Sequence, residues 1–362
     1  MLEMRRKLFS ALSWRVEARA AALPAAEGAT VRHRWGRMMS WAGAHRSLPE
    51  TTDRAAILCF HSITAHRPDP EVEADALDVR DLRNLLAVLR TSFHVIPLAE
   101  LVDAVRQRRP PPSRSVVITF DDGYANAHSV AAEELARQRM PWSLFLPAML
   151  IETGGRQWID DVRILIHRGG RKHLSFAWDG QSVALDLSSR DGRRDAVTRI
   201  HQLCRYVPEA QRRARLDELY ACWPADEMES LRAEYPSFRP MTWMQAQELQ
   251  AAGVDVGSHA LNHMALGPQP PEVVRHEVLA ARALLQQRIG DHSPHFSYPY
   301  GRESAISDES ERVLAAAGYH CALTLEQELV YPATTHPLRL PRLIVSGQVG
   351  RVLFTLWQRF IR

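Results

Sequence analysis

The stretch VVITFDDGY at residues 116–124 gives the clearest indication of the fold. Its first five residues are β-branched or aromatic, as is typical of a buried strand, and two aspartates and a glycine then end the strand. In α/β folds, ligands collect at the carboxyl ends of parallel strands. Asp121 and Asp122 are therefore candidates for a site in which one carboxylate holds a metal and the other handles a proton. The alternative is an ordinary solvated turn, in which Asp and Gly are common.

The pattern on either side of this stretch alternates between strands and helices. Helices are expected after the capping-box pair Thr242 and Gln245, at the C-terminal end, and at residues 79–89, 98–105, 129–139, 271–289 and 307–317. Buried strands are predicted at residues 55–61, 94–98, 142–147, 254–259, 295–300, 321–325 and 338–345. This repetition predicts an α/β protein built on a parallel sheet or barrel.

Two segments depart from that alternation. At residues 151–240, apolar residues alternate on both sides of Asp179 and Gly180, which predicts a hairpin, and Arg-rich helical patterns follow it. We interpret this region as an insertion on a main domain of residues 51–362. Residues 1–50 form a basic extension with an amphipathic helix, which either packs on the main domain or makes peripheral contact with anionic membrane lipid.

The composition of the 362-residue chain is that of a globular protein, with 46% hydrophobic residues. The formal net charge of +3 is too small to indicate a nucleic-acid partner. The four cysteines are scattered and form no CxxC pair, which favours buried thiols in a reducing compartment. Neither the apolar core of a signal peptide nor an apolar run of about 18 residues occurs, so we expect a cytoplasmic protein.

Two histidines follow another predicted strand. His259 and His263 lie four residues apart in the sequence SHALNH. Two imidazoles and one carboxylate can hold a metal while leaving coordination positions open for water and substrate, as hydrolysis requires. With 16 histidines in the chain, the same spacing also arises readily between structural residues. A third stretch, HFSYPYG at residues 295–301, ends a strand at which the backbone N–H of Tyr300 could face the same cavity.

In this order, TFDDGY at residues 119–124, SHxxxH at 258–263 and YPYG at 298–301 resemble the first three motifs of the polysaccharide deacetylase family, carbohydrate esterase family 4. The likeness extends over residues 55–345 and includes the first and last strands of the family's NodB-like domain. The resemblance implies an α/β fold, namely a distorted (β/α)7-type barrel, here with a helical and hairpin insertion.

The resemblance also implies a reaction and a set of roles. Members of the family hydrolyse N-acetyl or O-acetyl groups on sugar polymers with the help of a divalent metal, commonly zinc. Asp121 would be the general base, Asp122, His259 and His263 the metal ligands, and Tyr300 the backbone donor to the oxyanion. A bound metal lowers the pKa of water to about 7, so that a nearby carboxylate can take its proton.

The sequence departs from the family pattern at two points. Ser297 stands where the family often has an arginine that pairs with the base, so Arg342 in the last predicted strand becomes the candidate partner of Asp121. The late LxLH motif, whose histidine often serves as the general acid, reads LRLP here. His336 and His61 are the remaining candidates for the acid by position.

Trp158 lies in the sequence GGRQWIDD, which resembles a stretch in the longer members of the family. Its indole either stacks on a sugar ring or belongs to the core. We predict a metal-dependent carbohydrate deacetylase that acts on an N-acetylated saccharide or lipid-linked glycan during surface polysaccharide or glycolipid biosynthesis. Two alternatives stay open, a catalytically inactive carbohydrate-binding relative and a hydrolase of a non-sugar amide on the same fold.

Overall fold

A computed structural model describes residues 2–41, 52–347 and 349–361. Its strands are β1 Ala55–Phe60, β2 Ile63–Thr64, β3 Leu77–Asp78, β4 His94–Val95, β5 Ser115–Phe120, β6 Ser143–Leu146, β7 His173–Trp178, β8 Gln181–Asp186, β9 Asp255–Ser258, β10 His295–Ser297, β11 Cys321–Leu323 and β12 Leu343–Ile344. Its α-helices are α1 Leu2–Ala21, α2 Ala25–Trp41, α3 Val79–Ser92, α4 Leu98–Arg106, α5 Ala132–Gln138, α6 Ala148–Thr153, α7 Trp158–Arg168, α8 Arg190–Arg205, α9 Glu209–Tyr220, α10 Ala225–Ala233, α11 Trp243–Ala251, α12 Pro271–Ile289, α13 Asp308–Ala316 and α14 Val349–Ile361.

Seven parallel strands follow one another in the order β11, β10, β9, β6, β5, β1 and β12, and β4 pairs with β5 beside them. A parallel bridge between Leu323 in β11 and Leu340, shortly before β12, links the two ends of this order. The strands therefore curl into a distorted (β/α)7-type barrel, and the predicted fold is confirmed.

The strands β1 and β5 are buried along their whole length, as expected for parallel strands covered on both faces. Alternate residues of β1 pack on opposite sides of the sheet. Ala56 and Leu58 belong to an apolar cluster between the sheet and helices that include α3 and α14, whereas Ala55 and Ile57 belong to a second cluster that includes Val117 and residues of α4. The same alternation continues past the end of β5 and directs Asp121 to the side of Val117.

The predicted strand at residues 338–345 is wrong in its first half. Residues Pro337–Arg339 form a 3-10 turn, and pairing with β1 is limited to Leu343–Ile344. Pro341 has no N–H to donate to a neighbouring strand, which is one reason why regular pairing begins only after it. The predicted helix at 129–139 begins earlier, with a π-helical turn at Ala127–Ala131 that leads into α5.

The region between α6 and α11 contains the predicted hairpin, β7 and β8, together with helices α7 to α10. Its apolar side chains form a cluster of their own, which includes Trp158, Trp178 and Trp223. The assignment of residues 151–240 as an insertion stays a prediction. The helices α1 and α2 pack with α14, while residues 1 and 42–50 of the predicted basic extension lie outside the described residues. Among the described helices, none has both the length and the apolar character needed to cross a bilayer.

Candidate active site

Asp121 lies directly after β5 and is held by a buried arginine. The Arg342 guanidinium donates to Asp121 Oδ1 at 2.8 Å and to Oδ2 at 2.6 Å, and the Ser297 hydroxyl donates to Oδ2 at 3.0 Å. Burial alone would raise the pKa of this carboxyl, but Arg342 and then His259 outweigh it and lower the pKa to about 2. Asp121 is therefore ionised at neutral pH, and its predicted pairing with Arg342 is confirmed.

The Asp122 carboxylate lies close to two imidazoles. Its Oδ1 lies 3.1 Å from His263 Nε2 and 3.5 Å from His259 Nε2, and Gln157 donates to the same oxygen at 3.3 Å. Burial opposes the charge on Asp122, but His263 and His259 outweigh it and hold the pKa well below its usual range. The structure thus brings together the three residues that the sequence predicts as metal ligands.

The chemistry of these three side chains fits a divalent metal. One carboxylate and two imidazole nitrogens, all within 4.8 Å of one another, are the donor types that zinc and similar ions take. His259 Nδ1 lies 2.7 Å from the carbonyl oxygen of Ser297 and must donate to it, so in the neutral imidazole Nε2 carries the lone pair, and this nitrogen faces a carboxylate oxygen of Asp122. A cation between these two acceptors would satisfy both. His263 Nδ1 has no such partner among the described residues.

A second group of possible ligands, Cys59, His61 and Asp121, lies next to the first. Both carboxylate oxygens of Asp121 already accept hydrogen bonds from Arg342. A metal there would be placed against a buried guanidinium, and like charges repel strongly in a low dielectric. Of the two groups, Asp122, His259 and His263 are therefore the set whose surroundings fit a divalent metal.

Three residues of the site have left-handed backbone conformations that non-glycine residues rarely adopt. The φ angle is 71° at Asp122, 52° at His263 and 63° at Tyr300. Such strain persists only where the surrounding structure enforces it, and it is concentrated at functional sites. The Tyr300 N–H has no hydrogen-bond partner within residues 52–347. It therefore remains available as a donor, as the predicted oxyanion role requires.

The residues meet at a cleft with a volume of about 350 Å³. Asp121, Asp122, His259, His263 and Tyr300 all line it. Of the two candidates for the general acid, His61 lines the cleft and has a ligand nitrogen within 4.8 Å of Asp121, whereas the His336 side chain is 57% exposed and is not among the lining residues. The geometry therefore favours His61.

Trp158, at the start of α7, is buried and is not among the residues that line the cleft. Its indole N–H donates to the Tyr300 hydroxyl at 2.7 Å, and the Arg212 guanidinium donates to the same oxygen at 3.2 Å. These contacts fix the ring of Tyr300. In this structure the indole holds Tyr300 in place. Stacking of Trp158 on a sugar stays a prediction.

Asp160 is a carboxyl in the cleft wall to which no sequence motif assigns a role. It is buried, and its Oδ2 accepts a hydrogen bond from the Tyr124 hydroxyl at 2.7 Å. Burial raises the pKa of Asp160 to about 8, although Arg163 and Tyr124 act in the opposite direction. Residue spacing could not have revealed the raised pKa, because its cause is the burial of the side chain away from water.

We expect Asp160→Asn to make stability less dependent on pH. In the folded state the carboxyl keeps its proton up to a pH near 8, whereas in the unfolded chain it ionises near its ordinary pKa of about 3.9. Unfolding therefore releases a proton between those values, so this group's contribution to stability falls as the pH rises through that window. The difference in Tm between variant and wild type should increase from pH 5 to pH 8. A constant difference would show that Asp160 is ionised in the folded protein.

Comparison with known proteins bears on the fold and the family. The family model described as polysaccharide deacetylase matches residues 223–322, which contain the second and third motifs. No curated protein matches the chain. Among solved structures, IcaB from Ammonifex degensii is 18% identical with a TM-score of 0.54, covering 85% of this chain and 98% of that one. The Streptococcus pyogenes deacetylase PplD in complex with acetate is 16% identical with a TM-score of 0.53, covering 81% and 92%.

A polysaccharide deacetylase from Bacillus cereus is 11% identical with a TM-score of 0.51 and covers 84% of this chain and 69% of that one. At these identities the structural likeness concerns the fold, which is the same barrel. The family model adds the match in sequence, and its match lies over the two histidines and Tyr300. The family match over residues 223–322 and the shared fold agree with the resemblance that the three motifs predict: the chain is similar to polysaccharide deacetylases in that part of its sequence and in its fold.

Proposed function

We propose that this protein is a metal-dependent hydrolase that removes N-acetyl, or O-acetyl, groups from a sugar or glycan intermediate. The observation that carries the proposal is the placement of an ionised carboxylate, Asp121, beside the donor set of Asp122, His259 and His263 in one cleft. Tyr300, whose N–H has no hydrogen-bond partner within residues 52–347, lines the same cleft. Together they supply a base, a metal position and an oxyanion donor, which are the groups that amide hydrolysis needs.

The metal in this proposal is a divalent cation held by Asp122, His259 and His263, with zinc the first candidate because of its preference for imidazole and carboxylate ligands. When bound, it would polarise the acetyl carbonyl and the attacking water. The protein's own residues perform the remaining steps. Asp121 takes a proton from the attacking water while the water oxygen forms a bond to the acetyl carbon. The N–H of Tyr300 donates to the negative oxygen that develops there.

The reaction is completed when the carbon–nitrogen bond breaks and the amine leaves with a proton. We assign that proton to His61, which lies in the cleft within reach of Asp121. The products are acetate and a sugar amine, so one water is consumed for each acetyl group. Arg342 keeps Asp121 oriented and ionised, which sets the base before substrate binds.

Replacement of His61 by glutamine tests the acid. We expect kcat on an N-acetyl sugar to fall by about 10²- to 10⁴-fold, the usual range for losing a general acid. The loss should be much smaller on an acetyl ester of a phenol, because a phenolate leaves without a proton. His336→Gln is the matched control and should leave both rates unchanged. Equal losses on both substrates would count against the acid role of His61.

The reaction class is tested by acetate release from N-acetylated oligosaccharides and lipid-linked sugars, measured with added zinc and after treatment with a chelator. Acetate that appears only with metal supports the proposal. An inactive carbohydrate-binding relative would bind sugars without releasing acetate. A hydrolase of non-sugar amides would release acetate or another acid only from such amides.

We further propose that the enzyme acts in the cytoplasm, on an intermediate of surface polysaccharide or glycolipid biosynthesis, with peripheral contact to the inner membrane. This part of the proposal rests on the sequence. Fractionation of the producing cells tests it, and activity found only outside the cytoplasm would contradict the location. Failure of the protein to sediment with anionic vesicles at low salt would contradict the membrane contact.

A further inference from the structure

Some of the charged side chains that line the cleft have no partner of opposite charge among the described residues. Of its acidic residues, Asp121 is paired with Arg342, and Asp122 faces two imidazoles. Asp75 accepts from Arg163 at 2.5 Å. Asp160 is held by Tyr124, and burial raises its pKa to about 8, so it contributes little negative charge at neutral pH. Each lining carboxylate therefore has its own partner inside the protein.

Two arginines line the same cleft, Arg205 at the end of α8 and Arg302 after the YPYG turn. Among the described residues, neither has a carboxylate partner. The Arg205 guanidinium carbon lies 5.2 Å from the centre of the Tyr300 ring and 4.8 Å from that of Tyr206. Its Nε is buried without a hydrogen-bond partner. Arg302 is exposed at the cleft and lies two residues after Tyr300 in the chain.

Arg205 thus contacts the ring of Tyr300, and Arg302 lines the same cleft two residues after it; the backbone N–H of Tyr300 is the proposed oxyanion donor. The aromatic rings hold the plane of Arg205 by cation–π contact, which leaves its N–H groups free to bind another group. A guanidinium with a fixed plane is suited to bidentate binding of phosphate or carboxylate. Neither arginine is needed for holding a metal or for transferring a proton in the proposed reaction.

We propose that Arg205 and Arg302 bind an oxyanion of the substrate, a phosphate or a carboxylate, located on the sugar that loses its acetyl group or on its neighbour. This inference rests on the proposed deacetylase function and specifies its substrate class as an anionic acetamido sugar. Phosphate is present in sugars linked to a carrier through a phosphate ester, and carboxylate in uronic acid residues. The two sources share the chemistry that the arginines recognise.

The test compares kcat/KM on three compounds: methyl N-acetylglucosaminide, N-acetylglucosamine 1-phosphate, and a disaccharide of glucuronic acid and N-acetylglucosamine. We expect at least one anionic compound to be preferred over the neutral one by about tenfold or more, the usual effect of one charge-assisted hydrogen bond. Arg205→Gln and Arg302→Gln should each reduce that preference by a similar factor. Arg194→Gln, an exposed arginine on the same helix as Arg205, should leave it unchanged.

Binding measured by calorimetry separates this inference from the proposed function. At least one of glucosamine 1-phosphate and the disaccharide of glucuronic acid and glucosamine should bind more tightly than glucosamine, and the two arginine variants should remove the difference. If no compound yields acetate but this binding pattern holds, the deacetylase function fails and the oxyanion site stands. If the wild type turns over and binds neutral and anionic compounds equally, the oxyanion site is overturned. Preference for the phosphate or for the uronic acid identifies the source.

Discussion

Asp121→Asn is expected to reduce kcat for acetate release by about 10²- to 10⁴-fold while metal binding is kept. The amide cannot accept the proton of the attacking water, yet it retains the size of the carboxylate. The proposed metal ligands Asp122, His259 and His263 are unchanged, so zinc affinity should stay near that of the wild type. Steady-state kinetics and a zinc competition assay give the two readouts.

Stability must be measured alongside this variant, because Asp121 and Arg342 are both buried. Removing one partner of a buried ion pair leaves the other charge uncompensated and typically costs about 3–5 kcal/mol. Ser297→Ala is the matched control, since it removes one hydrogen bond to Asp121 and leaves the carboxylate in place. Its activity should fall far less. A near-normal rate in folded Asp121→Asn would show that another group is the base.

Asp122→Asn is expected to weaken zinc binding by about 100-fold or more, since even partners of metal ligands are typically worth 10- to 100-fold. The change removes the negative charge from the donor set. Asparagine is preferred to alanine because Asp122 has a φ of 71°, a conformation that asparagine tolerates and alanine adopts only with strain. Competition with a chromogenic chelator measures the affinity without relying on turnover.

Gln157, whose amide donates to Asp122 Oδ1, offers a control with a smaller expected effect on zinc binding. Gln157→Leu leaves all three ligands in place but removes an orienting hydrogen bond, so it should weaken zinc binding less than Asp122→Asn does. Unchanged zinc affinity in Asp122→Asn would exclude Asp122 as a ligand. The metal would then have to be sought among other residues of the cleft.

Much of the barrel could be predicted from the sequence because its strands and helices have strong periodicity and clear ends. The helix Pro271–Ile289 matches the prediction at both ends, and the hairpin of β7 and β8 follows from the turn at Asp179. Helices α7 and α10 were missed, since the pattern of residues 151–240 was dominated by the hairpin and the Arg-rich helices. The last strand was predicted too long because Pro341 lies within an apolar run that otherwise has the pattern of a strand.

The candidate site was predictable to the extent that its residues lie in short motifs. Asp121, Asp122, His259, His263 and Tyr300 each follow a strand, and parallel strands bring such positions to one edge. Other residues lie in the cleft through contacts that no local pattern encodes. Those residues are Asp75, Asp160, Arg163, His201, Arg205 and Arg302. Five of them lie in the region 151–240 or just after YPYG, where side-chain spacing gave no reason to select them.

The pairing of Asp121 with Arg342 also determines when the site can form during folding. The two residues are separated by 221 positions, and they meet only when the chain following β11 has come back to β1. Contacts between distant parts of a chain form slowly, because the entropy of closing a long loop must be overcome first. We therefore expect the charged centre of the cleft to be completed late in folding, and a chain interrupted before Arg342 would leave Asp121 without its buried partner.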